Sequence, residues 1–125
     1  MTTAKIYMEA ANAAVKRIPA EEAVEQHGVD GVVFIDVRDS AAIAQSGTIK
    51  GAHHIPRGML EFMADPATAA HNKALTKDAE IYLVCAAGGQ AALAGKTLID
   101  MGYTNVTNIG GISDWTKAGG PVDGA

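Results

Sequence analysis

Two short, unbroken apolar runs, with a third and less regular one, constrain the fold of this chain more than any other feature. Val32-Val33-Phe34-Ile35 and Ile81-Tyr82-Leu83-Val84 are continuous aliphatic and aromatic segments, and Val106-Thr107-Asn108-Ile109 is a weaker third. A strand with one face in water alternates apolar and polar side chains, whereas a run without alternation suits a strand buried on both faces of a parallel sheet. Between the last two runs, Ala91, Ala94, Leu98 and Met101 recur at helical spacing, and Gly102 follows as a helix stop. Strand, helix and strand in about 30 residues make a right-handed crossover unit. Further short helices are expected at residues 39–45 and 58–64. Val15-Lys16-Arg17-Ile18 reads as a short edge strand, and Pro19 opens a helix that carries Glu21 and Glu22 at its positive end and stops at Gly28. The fold class is α/β, with helices on both faces of a mostly parallel sheet.

The chain has 125 residues, enough for one domain and too few for two. Its 48% hydrophobic share supports a packed core and excludes the low-hydrophobicity, high-charge regime of disordered chains. The net charge is −4 and the ten Lys and Arg are scattered, which argues against a nucleic-acid partner, since phosphate neutralisation needs clustered positive charge. No window approaches the roughly 18 consecutive apolar residues of a membrane span, and the first residues lack the pattern of a secretory signal. A cytoplasmic protein without a membrane partner is expected. Residues 1–14 are Ala-rich and weakly helical, an N-terminal extension to a domain at 15–119; residues 120–125 are expected to form a loose tail.

Cys85 is the single cysteine, which excludes an intramolecular disulfide, a CxxC redox pair and a multi-cysteine zinc site. It stands at the carboxyl end of the run from Ile81, where ligands of open α/β sheets bind. The turn Cys85-Ala86-Ala87-Gly88-Gly89-Gln90 then leads into the helix from Ala91. So small and glycine-bearing a turn can curl with its N–H groups converging on one point, with the positive end of a helix behind it. A thiol held there is favoured as thiolate and acts as a nucleophile. The plain alternative is a cysteine that merely ends a core strand, because free cysteines are among the most buried residues; the strand–Cys–Gly-Gly–helix setting favours reactivity. Gly89 to Thr97 also approaches a phosphate-binding P-loop, but five residues separate its glycines where the motif needs four.

Several ordered pieces resemble the single-domain rhodanese-like sulfurtransferases. Asp36-Val37-Arg38 is similar to the family's Asp-x-Arg at a strand end, and the segment from Gly47 to Pro56 resembles G-H-I-x-G-A-x-x-I-P, with Thr48 replacing the usual His. Cys85 with its six-residue loop resembles the catalytic loop, and Gly102-Tyr103, Val106, Gly110-Gly111 and Trp115 resemble the closing pattern. The resemblance spans about Ile18 to Pro121. It implies a rhodanese-like three-layer sandwich with a five-stranded, mostly parallel sheet. It also implies that Cys85 takes sulfane sulfur from a small sulfur-containing anion such as thiosulfate, or from a persulfide donor. The Cys85 persulfide then passes the sulfur to cyanide in an assay, or to a thiol or protein acceptor in the cell. No metal and no organic cofactor is implied.

The chain departs from that family within the loop. Members often carry hydroxyl and cationic side chains where this chain has Ala87, Gln90 and Ala91. Losing one charge-assisted hydrogen bond to a dianion costs about 1.5–3 kcal/mol, roughly ten- to a hundredfold in affinity. A competent nucleophile with weakened thiosulfate binding is therefore expected, with the substrate held by the backbone of Ala86, Ala87, Gly88, Gly89, Gln90 and Ala91. Arg57 either compensates at the rim or pairs with Glu61, four residues on. Asp36 and Arg38 are expected to support the strand end. His53 and His54 are adjacent, point to opposite sides of a strand and form no metal pair; Trp115 is expected to pack under the last helix. Two other functions remain. One is a persulfide carrier, sensor or interaction module without turnover. The other is a phosphatase of the same fold, disfavoured because its loop is one residue longer and ends in arginine.

Overall fold

The computed structural model describes residues 1–124. Its strands in chain order are β1 (Lys16–Arg17), β2 (Val32–Asp36), β3 (Thr48–Ile49), β4 (His53–His54), β5 (Glu80–Cys85), β6 (Asn105–Gly111) and β7 (Val122–Asp123). Five of them form one sheet in the order β1-β6-β5-β2-β4, with every neighbouring pair parallel. The helices are α1 (Ala4–Ala14), α2 (Ala20–Val24), α3 (Ser40–Ser46), α4 (Leu60–Ala64), α5 (Gly89–Asp100) and α6 (Ile112–Lys117), and a 3-10 turn at Arg57–Met59 leads into α4.

The unbroken run in β5 has the two buried faces that its lack of alternation requires. Ile81, Leu83 and Cys85 pack with Leu60 and Ala64 of α4 and with Ala91, Ala94 and Leu98 of α5. Tyr82 and Val84 point the other way, into a cluster with Ala23 of α2 and Ile112 and Trp115 of α6. Each fully buried aliphatic side chain contributes about 1.5–3 kcal/mol relative to exposure, so a polar residue on either face would be costly. The result is a three-layer α/β sandwich. Trp115 is fully buried, with its ring edge-on to Phe34 at 5.3 Å between centroids.

Two expectations from sequence need correction. The helix after Cys85 begins at Gly89, two residues before Ala91, so Gly89 and Gln90 already form its first turn. The segment after residue 119 is not loose within the described residues. Trp115 Nε1 and the Lys50 amide both donate to Pro121 O at 3.0 Å, and β7 pairs antiparallel with β3. An indole N–H buried against this segment needs an acceptor, and the tail's carbonyl supplies it. Ala125 lies outside the described residues.

β6 carries one residue more than β5 near their ends: Leu83 pairs with Asn108, but Cys85 pairs with Gly111. This bulge bends the strand end and brings Gly110 and Gly111 level with the turn after Cys85.

Candidate active site

Cys85 ends the central strand and is 1% exposed. Its Sγ accepts hydrogen bonds from the Gly88 amide at 3.0 Å and the Ala91 amide at 3.3 Å. The chain turns back over the sulfur because Gly88 takes φ +107°, a left-handed conformation that a side chain would strain, and so starts α5. The Gly88 carbonyl accepts the first helical bond, from Ala92 N at 3.0 Å. Two N–H groups and a helix N-terminus thus face one sulfur. Such donors stabilise negative charge on it, as thiolate or as the terminal sulfur of a persulfide.

The loop is seated by β6. A Cβ on Gly111 would stand 2.2 Å from the Ala86 carbonyl oxygen, so only glycine lets the two backbones approach this closely. Asn108 is 2% exposed and spans both segments: its Nδ2 donates to Gly88 O at 2.9 Å, and its Oδ1 accepts from Gly110 N at 2.8 Å. Ala86, Ala87 and Gln90 are exposed, Gly89 is half-buried, and Gly88 and Ala91 are buried. No charged side chain belongs to the loop, so what it offers an anion is backbone.

The other sequence-predicted residues lie around this centre in different ways. Asp36 and Arg38 are buried together at the end of β2. Arg38 Nη2 donates to Asp36 Oδ2 at 2.7 Å and to Gly47 O at 2.7 Å, and Nε donates to Asp36 Oδ1 at 3.0 Å. Thr48 Oγ1, at the position where the family usually has His, donates to Asp36 Oδ2 at 2.8 Å. The cluster therefore ties β2 to the chain entering β3. Arg57 does pair with Glu61, at 3.0 Å, and also donates to Thr97 Oγ1 of α5 at 3.0 Å. That guanidinium holds the Glu61 carboxyl below the ordinary carboxylate range. Arg57 also lines, with Tyr7, Met8, Leu93 and Gly89, a largely apolar groove of about 930 Å³ between α1 and α5. His53 and His54 sit opposite Ile35 and Asp36 on β4, and His54 Nε2 lies 2.7 Å from Arg38 O.

Sequence reasoning passed over Asn108, and it drew nothing from Arg17, whose guanidinium packs against Gly88 and Gly110. Asn108 carried a usable signal, since an amide inside a strand run expected to be buried must find partners. Arg17 carried none, because an edge-strand arginine is ordinarily solvated.

Comparison with known proteins places the chain. Residues 19–118 match the model of the Rhodanese-like domain. The chain belongs to the rhodanese-like domain family. It is 30% identical over 111 residues to the thiosulfate sulfurtransferase GlpE of Pseudomonas putida, covering 88% of this chain and 92% of that protein. Among solved structures, the polysulfide-sulfur transferase homodimer of Wolinella succinogenes superposes with a TM-score of 0.76 at 28% identity, over 97% of this chain and 87% of that one. A Rhodopseudomonas palustris protein of unknown function, RPA3614, described as a possible tyrosine phosphatase, superposes with a TM-score of 0.92 at 35% identity, over 98% and 96% of the two chains. The sulfurtransferases among these relatives support sulfur transfer as the general chemistry. Among the described residues, no helix is long and apolar enough to cross a membrane.

Proposed function

We propose that the protein is a sulfurtransferase that carries sulfane sulfur on Cys85. The observation that carries this reading is the pair of amides, from Gly88 and Ala91, aimed at Sγ on the floor of a curled loop. In the first step the Cys85 thiolate attacks the outer sulfur of thiosulfate; the S–S bond breaks and sulfite leaves with its electron pair. In the second, an acceptor nucleophile, such as a thiolate or cyanide, attacks the outer sulfur of the Cys85 persulfide. The thiolate returns and the acceptor leaves as a persulfide or thiocyanate. This is covalent catalysis in two displacements, with the loop amides holding the charge on sulfur in each. Thiosulfate binds weakly here because Ala87, Gln90 and Ala91 add neither hydroxyl nor charge, and a protein or small thiol is the acceptor.

Incubation with thiosulfate or polysulfide, followed by mass spectrometry, tests the reading. A gain of about 32 Da on Cys85, one sulfur atom, is expected, with none in Cys85→Ser. No adduct with any donor would overturn sulfur carriage and leave an interaction module. The likeness to RPA3614 supplies the second reading, a phosphatase. A phosphate dianion needs a fixed cation to neutralise its transition state, and the loop contains none. Hydrolysis of p-nitrophenyl phosphate that disappears in Cys85→Ser would reverse the preference.

A further inference from the structure

Arg17 is the last residue of the edge strand β1 and lies opposite Asn108 of β6. Its side chain reaches across the strand ends to the Cys85 loop. A Cβ built on Gly88 would stand 2.5 Å from Arg17 Nη1 and 3.0 Å from its Cζ, and one on Gly110 would stand 3.0 Å from Nη2. The guanidinium thus fills the side-chain space of both glycines, against the residue whose N–H makes the shorter bond to Cys85 Sγ.

Its own charge is unspoken for. Among the described residues no carboxylate lies within 4.0 Å of it, and it donates no hydrogen bond. Three other cations are engaged, Arg38 by Asp36, Arg57 by Glu61 and Thr97, and Lys96 by Asp100, and Lys117, which shares the cleft with Arg17, is not the residue that meets Gly88 and Gly110. Glu21, Asp114 and Lys117 line the same surface cleft of about 470 Å³, and Asp114 approaches Gly110 without closing an ion pair to Arg17.

We infer that Arg17 is the anion-recruiting residue of the Cys85 site, selecting negatively charged sulfur donors over neutral ones. The inference rests on the reading of Cys85 as the reactive sulfur. It assigns to an edge strand the positive charge that the neutral Gln90 does not supply from the loop itself. A guanidinium with unused donors beside the loop attracts an approaching anion, and its exposure makes that attraction sensitive to salt.

Two alkylating reagents with the same reactive carbon and different charge separate recruitment from reactivity. Cys85 is treated with iodoacetate, an anion, and with iodoacetamide, which is neutral. In Arg17→Gln the iodoacetate-to-iodoacetamide rate ratio is expected to fall about three- to tenfold, the size of a near-surface charge interaction. Arg17→Lys restores most of the ratio, added salt shrinks the difference, and Lys16→Gln, which removes the same formal charge one residue away, leaves the ratio unchanged. A ratio unaltered in Arg17→Gln, or two rates that fall in parallel, would overturn the inference while leaving the proposed function intact. A wild-type Cys85 inert to both reagents would overturn the functional reading along with it.

Discussion

Neighbouring strands end in two buried polar centres built on opposite plans. Asp36 of β2 sits opposite Val84, the residue before Cys85 on β5. At the Asp36 corner, side chains do nearly everything. The carboxylate receives Arg38 Nε and Nη2, the Arg38 amide and Thr48 Oγ1, and the guanidinium also donates to Ser46 Oγ and Gly47 O. At the Cys85 loop, side chains do almost nothing, and the donors are backbone amides. The first arrangement is closed, because each buried charge has its opposite within the cluster. The second has donors facing a sulfur and no counter-charge within the loop, so negative charge on that sulfur competes with no native carboxylate. Charge density alone would point to the Asp36 corner, whereas the proposed function places the chemistry at the Cys85 loop.

The contrast breaks most sharply at Asp36. Asp36→Ala leaves the Arg38 guanidinium, 4% exposed, without its carboxylate, and unfolding in denaturant should show a loss of about 3–5 kcal/mol. A loss below about 1 kcal/mol would mean that the corner is screened like a surface pair, and the distinction would fall. Gly111→Ala tests the other plan. The added methyl meets the Ala86 carbonyl and displaces the loop, so the rate of Cys85 sulfur loading should drop about ten- to a hundredfold, as small misplacements of reacting groups do. Denaturant unfolding of the same variant should show a smaller loss than Asp36→Ala; loading at the wild-type rate would show that the loop does not depend on this seat.

Gln90→Arg sharpens the comparison from within the loop by adding the missing charge. The KM for thiosulfate should fall about tenfold, the worth of one charge-assisted hydrogen bond. An unchanged KM would show that donor recognition does not depend on a charge at this loop position. The smallest effect concerns Tyr82, on the face of β5 that looks away from Cys85. Desolvation, with the Glu80 carboxylate hydrogen-bonded to its hydroxyl, raises it from about 10 to about 12, and burial also raises Tyr103. A folded-state value above the unfolded one stabilises the protein fully below pH 10 and ceases to do so as pH rises through about 12. Unfolding followed between those limits should show a modest, progressive loss, reduced in Tyr82→Phe.

Much of this was legible because the period of a sequence reports burial. The unbroken runs at Val32 and Ile81 predicted strands covered on both faces, and the sheet has that form. Cys85 could be placed from the strand before it and the glycines after it. What stayed hidden depended on distance in space. Nothing near residue 122 announces that Val122 pairs with Ile49, or that Pro121 meets the indole of Trp115. The bulge that sets Gly111 beside Ala86 is a register slip between strands, and one strand's sequence does not record its neighbour's count. Arg57 illustrates the opposite limit. Its spacing from Glu61 predicted the pairing, but the bond to Thr97, forty residues on, needed the fold.

The depth of Cys85 has a consequence for which atoms ever meet. At 1% exposure its own sulfur lies at the bottom of the loop, and a sulfur bonded to it stands one bond length, about 2 Å, nearer the mouth. On the proposed reading an acceptor would therefore meet the cargo before the carrier. Such burial keeps bulky oxidants from the bare thiol, and on the proposed reading a loaded form would present its outer sulfur first. On the proposed sulfurtransferase reading the loop acts as a depth gauge, and loading would be what makes the sulfur available to a large partner.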